Sequence, residues 1–231
     1  MKKLILSATM LFVVGSLFAA DPKEEVTAAA KKLGEQANYS WTTTVVVPES
    51  ARFRPGPTNG KTEKDGVMHI KMTFGDNTTE VFKQGEKAAF TNRDGEWQSL
   101  AEAEGQEGRG RFMVAIMRGL QSPAEQAAEI AAGVKELKKE EEVLAGELTE
   151  EAAKNLMRFR RGGDGPTITN AKGSAKFWIK DGMISKYEFK VSGKTEFNGN
   201  EMDLDRTTTV EIKDAGKTKI EVPEAAKAKL S

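Results

Sequence analysis

Apolar and polar residues alternate with a period of two through the last quarter of the chain, and that pattern predicts a sheet. Between Ser174 and Val222 four consecutive antiparallel strands are expected. Asn198-Gly199 suits a two-residue type I′ turn, whose central positions both need φ > 0. Such a turn sets Phe189 opposite Thr208, Tyr187 opposite Val210 and Ser185 opposite Ile212, with Lys186 meeting Glu211 on the other face. A two-residue Asp181-Gly182 turn would put Phe177 beside Lys186. A three-residue Lys180-Asp181-Gly182 loop is therefore expected, pairing Ile179 with Met183 and Phe177 with Ser185. The same logic makes Asp214-Ala215-Gly216 a loop that pairs Ile212 with Thr218 and Val210 with Ile220. The resulting sheet has one apolar face and one charged face.

Upstream, Pro22 to Gln36 predicts an amphipathic helix with Val26, Ala29, Ala30 and Leu33 as its buried stripe and Glu24 and Glu25 at the positive end of its dipole. Tyr39, Trp41, Thr43, Val45 and Val47 share one face of a strand that Pro48 stops. The Pro/Gly/Lys-rich stretch Glu49–Gly66 lacks periodicity and is expected to be a long loop. Val67 to Phe74 alternates again, with Met68, Ile70, Met72 and Phe74 on one face and His69 and Lys71 on the other. Further strands are expected around Val81 and Phe82, at Ala88–Asn92 and at Glu96–Leu100.

The middle of the chain is helical. A loop at Ala101–Gly110 precedes a helix carrying Phe112, Met113, Ile116, Met117 and Leu120. Ser122-Pro123-Ala124-Glu125 is a capping box that opens another helix, which Gly133 closes. Lys139–Glu142 reads as the tip of a charged hairpin rather than a helix, because Gly133 and Gly146 bracket it. Thr149 then caps a helix through Phe159, and Arg158–Arg161 suits its C-terminal end. The fold class is α+β: a single large curved antiparallel sheet, an incomplete β-barrel, covered on its concave face by a few helices.

Residues 1–20 have the Lys2-Lys3 head, the apolar run Leu4–Phe18 and the small Ala19-Ala20 of a signal peptide, which leaves 21–231 as a single domain in the periplasm or outside the cell. No cysteine is present, so disulfides, thiolate catalysis and lipidation at a cysteine are excluded. Losing the two leader lysines takes the formal charge from zero to −2, with no basic excess to suit nucleic acid. The single histidine, His69, is expected at the surface. Asp203 and Asp205 project to one face without a third ligand, and the common catalytic motifs are absent, so no catalytic residue, metal or cofactor is assigned. Trp178 shares the wet face with Lys176 and Lys180; lysine stems or a loop are expected to cover it, the alternative being a partner-contact patch. Met68, Met72, Met113, Met117, Met157, Met183 and Met202 fall on apolar faces; such residues fill a core or form a deformable surface for chain-like ligands.

The Asp181–Tyr187 segment, the strand Thr207–Ile212, the closing Val222-Pro223-Glu224-Ala225 and the order helix, strands, helices, strands resemble the periplasmic lipoprotein-carrier superfamily of LolA, LolB, LppX and LprG. The resemblance runs from about Asn38 to Leu230. It implies a half-barrel with an apolar interior for acyl chains, and a non-enzymatic carrier of lipid or lipoprotein. Acyl chains and envelope membrane proteins are the partners it suggests, with the chain itself a monomer. The expected lining is Met68, Ile70, Met72, Phe74, Phe112, Ile116, Met183, Tyr187, Phe189, Val210 and Ile212. Two alternatives stay open: an interaction or scaffold module with a filled core, and a carboxylate-dependent hydrolase.

Overall fold

The computed structural model describes residues 21–51, 54–75, 77–106, 109–158, 167–197 and 200–230. Helix α1 (Pro22–Gly34) opens the domain, with the Asp21 carboxylate accepting the Lys23 amide and the four expected residues buried. Six strands follow, β1 (Asn38–Val46), β2 (Thr58–Glu63), β3 (Val67–Phe74), β4 (Asn77–Gln84), β5 (Lys87–Thr91) and β6 (Trp97–Ser99). Next come α2 (Leu100–Glu104), α3 (Arg109–Gly119) and α4 (Pro123–Gly133), then the hairpin β7 (Lys138–Glu140) and β8 (Val143–Glu147). Helix α5 (Glu150–Met157), the long strands β9 (Ile168–Lys180), β10 (Met183–Phe197) and β11 (Asn200–Lys213), and the short α6 (Glu224–Lys227) complete the chain.

All eleven strands form one antiparallel sheet in the order β6-β5-β4-β3-β2-β1-β11-β10-β9-β8-β7, not closed into a barrel. Two meanders, β1–β6 and β7–β11, thus meet at a seam between β1 and β11. Its inner face carries continuous cross-strand rows. One runs Phe90, Val81, Ile70, Gly60, Trp41, Ile212; another runs Thr43, Val210, Tyr187, Phe177, Leu144. Helices α1, α4 and α5 lie over β9 and β10 and share one core with these rows. The Ser122–Glu125 capping box forms as expected at the start of α4, and Glu141 turns the β7–β8 hairpin with φ 57°.

Five expectations are corrected. The stretch read as a long loop holds β2, whose polar TNGKTE sequence gives no alternation. It is a strand because β1 and β3 satisfy its backbone on both sides. The Ala101–Gly110 stretch holds α2, started by a second capping box at Ser99 and Glu102. The segment after Asp214 is not a fourth strand beside β11, since β1 takes that place, pairing Trp41 with Ile212 and Thr43 with Val210. Instead it crosses the outer face, where Ile220 and Ala226 bury against Phe82 and Ala89, and the Ile220 amide donates to Glu63 Oε1 at 2.9 Å.

The fourth correction concerns Asp181-Gly182, which does form the two-residue turn, with φ of 55° and 73°. The face conflict is removed by a β-bulge: Ile179 pairs with Ile184, Trp178 with Lys186 and Phe177 with Tyr187, leaving Ser185 as the extra residue. Its hydroxyl donates to the Trp178 carbonyl at 3.1 Å. Ile184 thereby takes the core position expected of Met183, which is half-buried. The β10–β11 register is as expected from Lys186–Glu211 to Phe189–Thr208, while its Asn198-Gly199 turn lies outside the described residues. Trp178 is covered by a lysine, Lys186, whose Nζ stands 4.6 Å from the ring centroid.

The fifth is His69. It lies on the outer face but is not a surface side chain: it stacks on Phe82 at 4.4 Å and meets Glu80 Oε1 at 2.6 Å, with Lys71 and Lys61 nearby. Burial outweighs the pull of Glu80 and holds the imidazole below its ordinary pKa. A histidine whose folded pKa is depressed contributes stability that is present above pH 6.5 and is lost as pH falls through the folded value. Because the chain has no second histidine, thermal melts should fall between pH 7 and 5.5 in the native protein and flatten in His69→Gln. Equal slopes in the two proteins would contradict this.

Candidate functional site

Most of the expected lining residues come together on the inner face. Met68, Ile70 and Met72 occupy one side of β3, Tyr187 and Phe189 lie on β10 and Val210 on β11; all six are buried in a single core. Ile212 and Ile116 are half-buried and packed against it. Phe74 is the last residue of β3, and Met183 lies beside the Asp181-Gly182 turn, away from the core. Phe112 is 49% exposed on α3, which turns Met113, Val114 and Met117 inward instead. The lining set also omitted Trp41, Val81 and Phe177, each paired with a residue it included, and Tyr39 and Phe90, which stand one strand further along the same rows.

The two halves of this face differ in packing. Under α1 and α4, Phe177 and Tyr187 stack at 6.4 Å, and the Tyr187 hydroxyl donates to Gln126 Oε1 at 2.7 Å. Burial pushes the Tyr187 phenol well above its usual pKa and raises that of Tyr39 as well. The Tyr39 hydroxyl makes no hydrogen bond of ordinary geometry, with Thr62, Ser122 and the Ala124 backbone close by. The other half of the core includes unbranched side chains, Met68 and Met72 from β3 and Met113 and Met117 from α3, with α2 against β5 and β6.

A recess of about 280 Å³ opens on this second half. Its rim is polar: Asn77 and Thr78 at the start of β4, Thr91, Asn92, Arg93 and Asp94 around the β5–β6 turn, Gln98 on β6, and Gln106 after α2. The Asn92 side-chain Oδ1 accepts the Asp94 and Glu96 amides at 2.9 Å each, which fixes the turn. The floor is made by Phe90 and Met113, both members of the main core, together with the buried Thr79. Gly110 sets the approach of α3 to α2, because a Cβ there would stand 2.6 Å from the Ala103 carbonyl oxygen. Sequence reading missed the recess, since its walls come from four separate stretches; the Met113 stripe was the one visible signal.

Asp203 and Asp205 lie on the outer face opposite lysines, Asp205 at 3.6 Å from Lys190 and Asp203 in register with Lys194. Among the described residues, no group of three His, Asp or Glu could hold a metal ion, and no helix is long and apolar enough to cross a membrane.

The fold matches solved structures over most of its length at low sequence identity. LprF from Mycobacterium bovis aligns over 89% of this chain and 97% of its own, with TM-score 0.47 and 9% identity. The lipoprotein LppX from Mycobacterium tuberculosis aligns over 87% and 98%, with TM-score 0.47 and 8% identity. A LolA superfamily protein from Nitrosomonas europaea aligns over 88% and 96%, with TM-score 0.36 and 9% identity. No protein-family profile matches the sequence, and no curated protein does.

Proposed function

We propose that this protein, once residues 1–20 are removed on export, is a non-enzymatic carrier that holds acyl chains of a lipid or lipoprotein beneath α2 and α3. The observation that supports this is the recess, which joins a polar rim to a floor made of core side chains. Its volume is just below the roughly 300–1,000 Å³ of small-molecule sites, so a longer chain requires α3 to shift outward from β4 and β5. Methionine suits that movement, because its thioether stem repacks at little cost. Each methylene then buried contributes about 0.8 kcal/mol at best. In this reading the effective lining is Met68, Ile70, Met72 and Ile116 from the expected set, joined by Phe90 and Met113.

A second reading, an interaction module with a filled core, is favoured by the close packing of Phe177, Tyr187, Phe189 and Val210 under α1 and α4. Native mass spectrometry of protein purified from its own envelope separates the two. A carrier shows added mass that organic extraction removes, and the extracted protein then takes up a fluorescent fatty acid saturably. Thr78→Trp, at an exposed position of the rim, should slow that uptake without changing the melting temperature. A clean unliganded mass with no uptake excludes the carrier and leaves the module.

A further inference from the structure

We infer that the C-terminal strap, residues 217–230, is a latch on the recess: from the outer face of the sheet it holds α2, and through α2 it holds α3 closed over β4 and β5. The inference rests on the reading that the recess admits an acyl chain, and gives that site its gate.

The strap is hung on the sheet rather than knitted into it. The Thr218 amide donates to Asn38 Oδ1 at 2.8 Å, the Ile220 amide to Glu63 Oε1 at 2.9 Å, and Lys61 Nζ to the Lys219 carbonyl at 3.1 Å. Side chains thus do what a neighbouring strand does elsewhere in the sheet. The apolar contacts are separate as well. Ile220 and Ala226 bury against Phe82 and Ala89 in a small cluster of their own, apart from the main core. A segment held in this way can lift while the packing under α1 and α4 stays intact.

Helix α6 seats against β5 and β6, the strands whose Phe90 and Gln98 line the recess. Just past α6, Lys229 Nζ reaches Glu102 Oε1 in α2 at 2.6 Å. The other oxygen of that carboxylate, Oε2, accepts the Ser99 amide at 2.8 Å and completes the capping box that starts α2. One carboxylate therefore joins the strap to the beginning of the helix. Helix α2 does not move alone, because Ala103 is buried in the main core and Gly110 of α3 lies close against its carbonyl oxygen. An outward shift of α3, which a longer chain requires, drags α2 and pulls on the Lys229–Glu102 pair. A partly exposed pair of this kind biases the mouth toward closure without locking it.

The test compares Lys229→Met and Lys229→Glu with Lys217→Glu, a charge reversal at an exposed position where the strap begins. The mature proteins are followed by hydrogen exchange and by uptake of a fluorescent fatty acid. Both Lys229 variants should speed exchange at 100–106 about two- to fivefold and uptake to a similar degree, with exchange in β1–β3 unchanged. Lys217→Glu should do neither. Raising the ionic strength about tenfold should speed uptake by the native chain and leave Lys229→Met as it was, a difference that general loosening of the fold does not produce. Where uptake proceeds, failure of either readout to respond to both Lys229 variants overturns the latch and leaves the carrier standing. An equal response to Lys217→Glu overturns it too, since the pair with Glu102 is then not the cause. No uptake by any of the proteins removes the carrier and the latch together.

Discussion

Truncation of Phe177 to alanine should lower stability by about 3–5 kcal/mol, the range for emptying a large aromatic site in a packed core. For a chain of this size that corresponds to a fall in melting temperature of about 6–20 °C. Phe177 is fully buried, stands between Tyr187 and Leu144 in its cross-strand row, and stacks on the Tyr187 ring. Its neighbours come from strands held on both sides, so they cannot collapse into the space left. The control is Val46→Ala, at a position 62% exposed, which should change stability by no more than about 0.5 kcal/mol. A drop of only a degree or two for Phe177→Ala would mean that this half of the face is loosely filled.

Gly60→Ala is the second large effect. A Cβ at Gly60 would stand 2.1 Å from Trp41 Cζ2, far inside van der Waals contact. Gly60 is in β2 directly opposite Trp41 and Ile70, and the indole lies across it with Nε1 donating to Thr62 Oγ1 at 3.1 Å. The added methyl forces the indole out, which costs overpacking of about 1–3 kcal/mol. It also breaks a buried hydrogen bond, worth about 1–3 kcal/mol when its partners are stranded. The expected total is about 2–6 kcal/mol, read by thermal melts alongside a change in tryptophan emission. Trp41→Phe in the same chain should recover part of the loss, since the two sites couple through one contact. Unchanged emission with an unchanged melt would show that the indole does not depend on this seat.

These two positions also mark what the sequence makes legible. Phe177 belongs to a strand with its own alternation, which assigns it to the apolar face even though its partner is Tyr187 rather than the expected Ser185. The α1 stripe, the Ser122 capping box, the charged β7–β8 hairpin and the β10–β11 pairing are legible for the same reason: each is decided by residues near one another in the chain. Gly60 belongs to a strand with no pattern, because what holds β2 is an indole nineteen positions earlier and backbone on either side. The segment after Asp214 fails similarly. Its residues suit a strand beside β11, but β1 offers a longer apolar row and takes the place. At Asp181-Gly182 the turn preference and the face match disagreed. The chain keeps the turn and absorbs the mismatch at Ser185, an adjustment that alternation alone does not encode. The recess is the extreme case, since no single stretch contributes more than part of its wall.

The seam between β1 and β11 also has a kinetic consequence. Ser40 and Lys213 hydrogen-bond across 173 positions of sequence, so this closure carries a large loop entropy and comes late in folding. A chain made amino end first leaves β1 without its neighbour until nearly all of the polypeptide has been synthesised. The first meander then waits with β1 unzipped along one side, and only the arrival of the last long strand closes the two halves into one sheet.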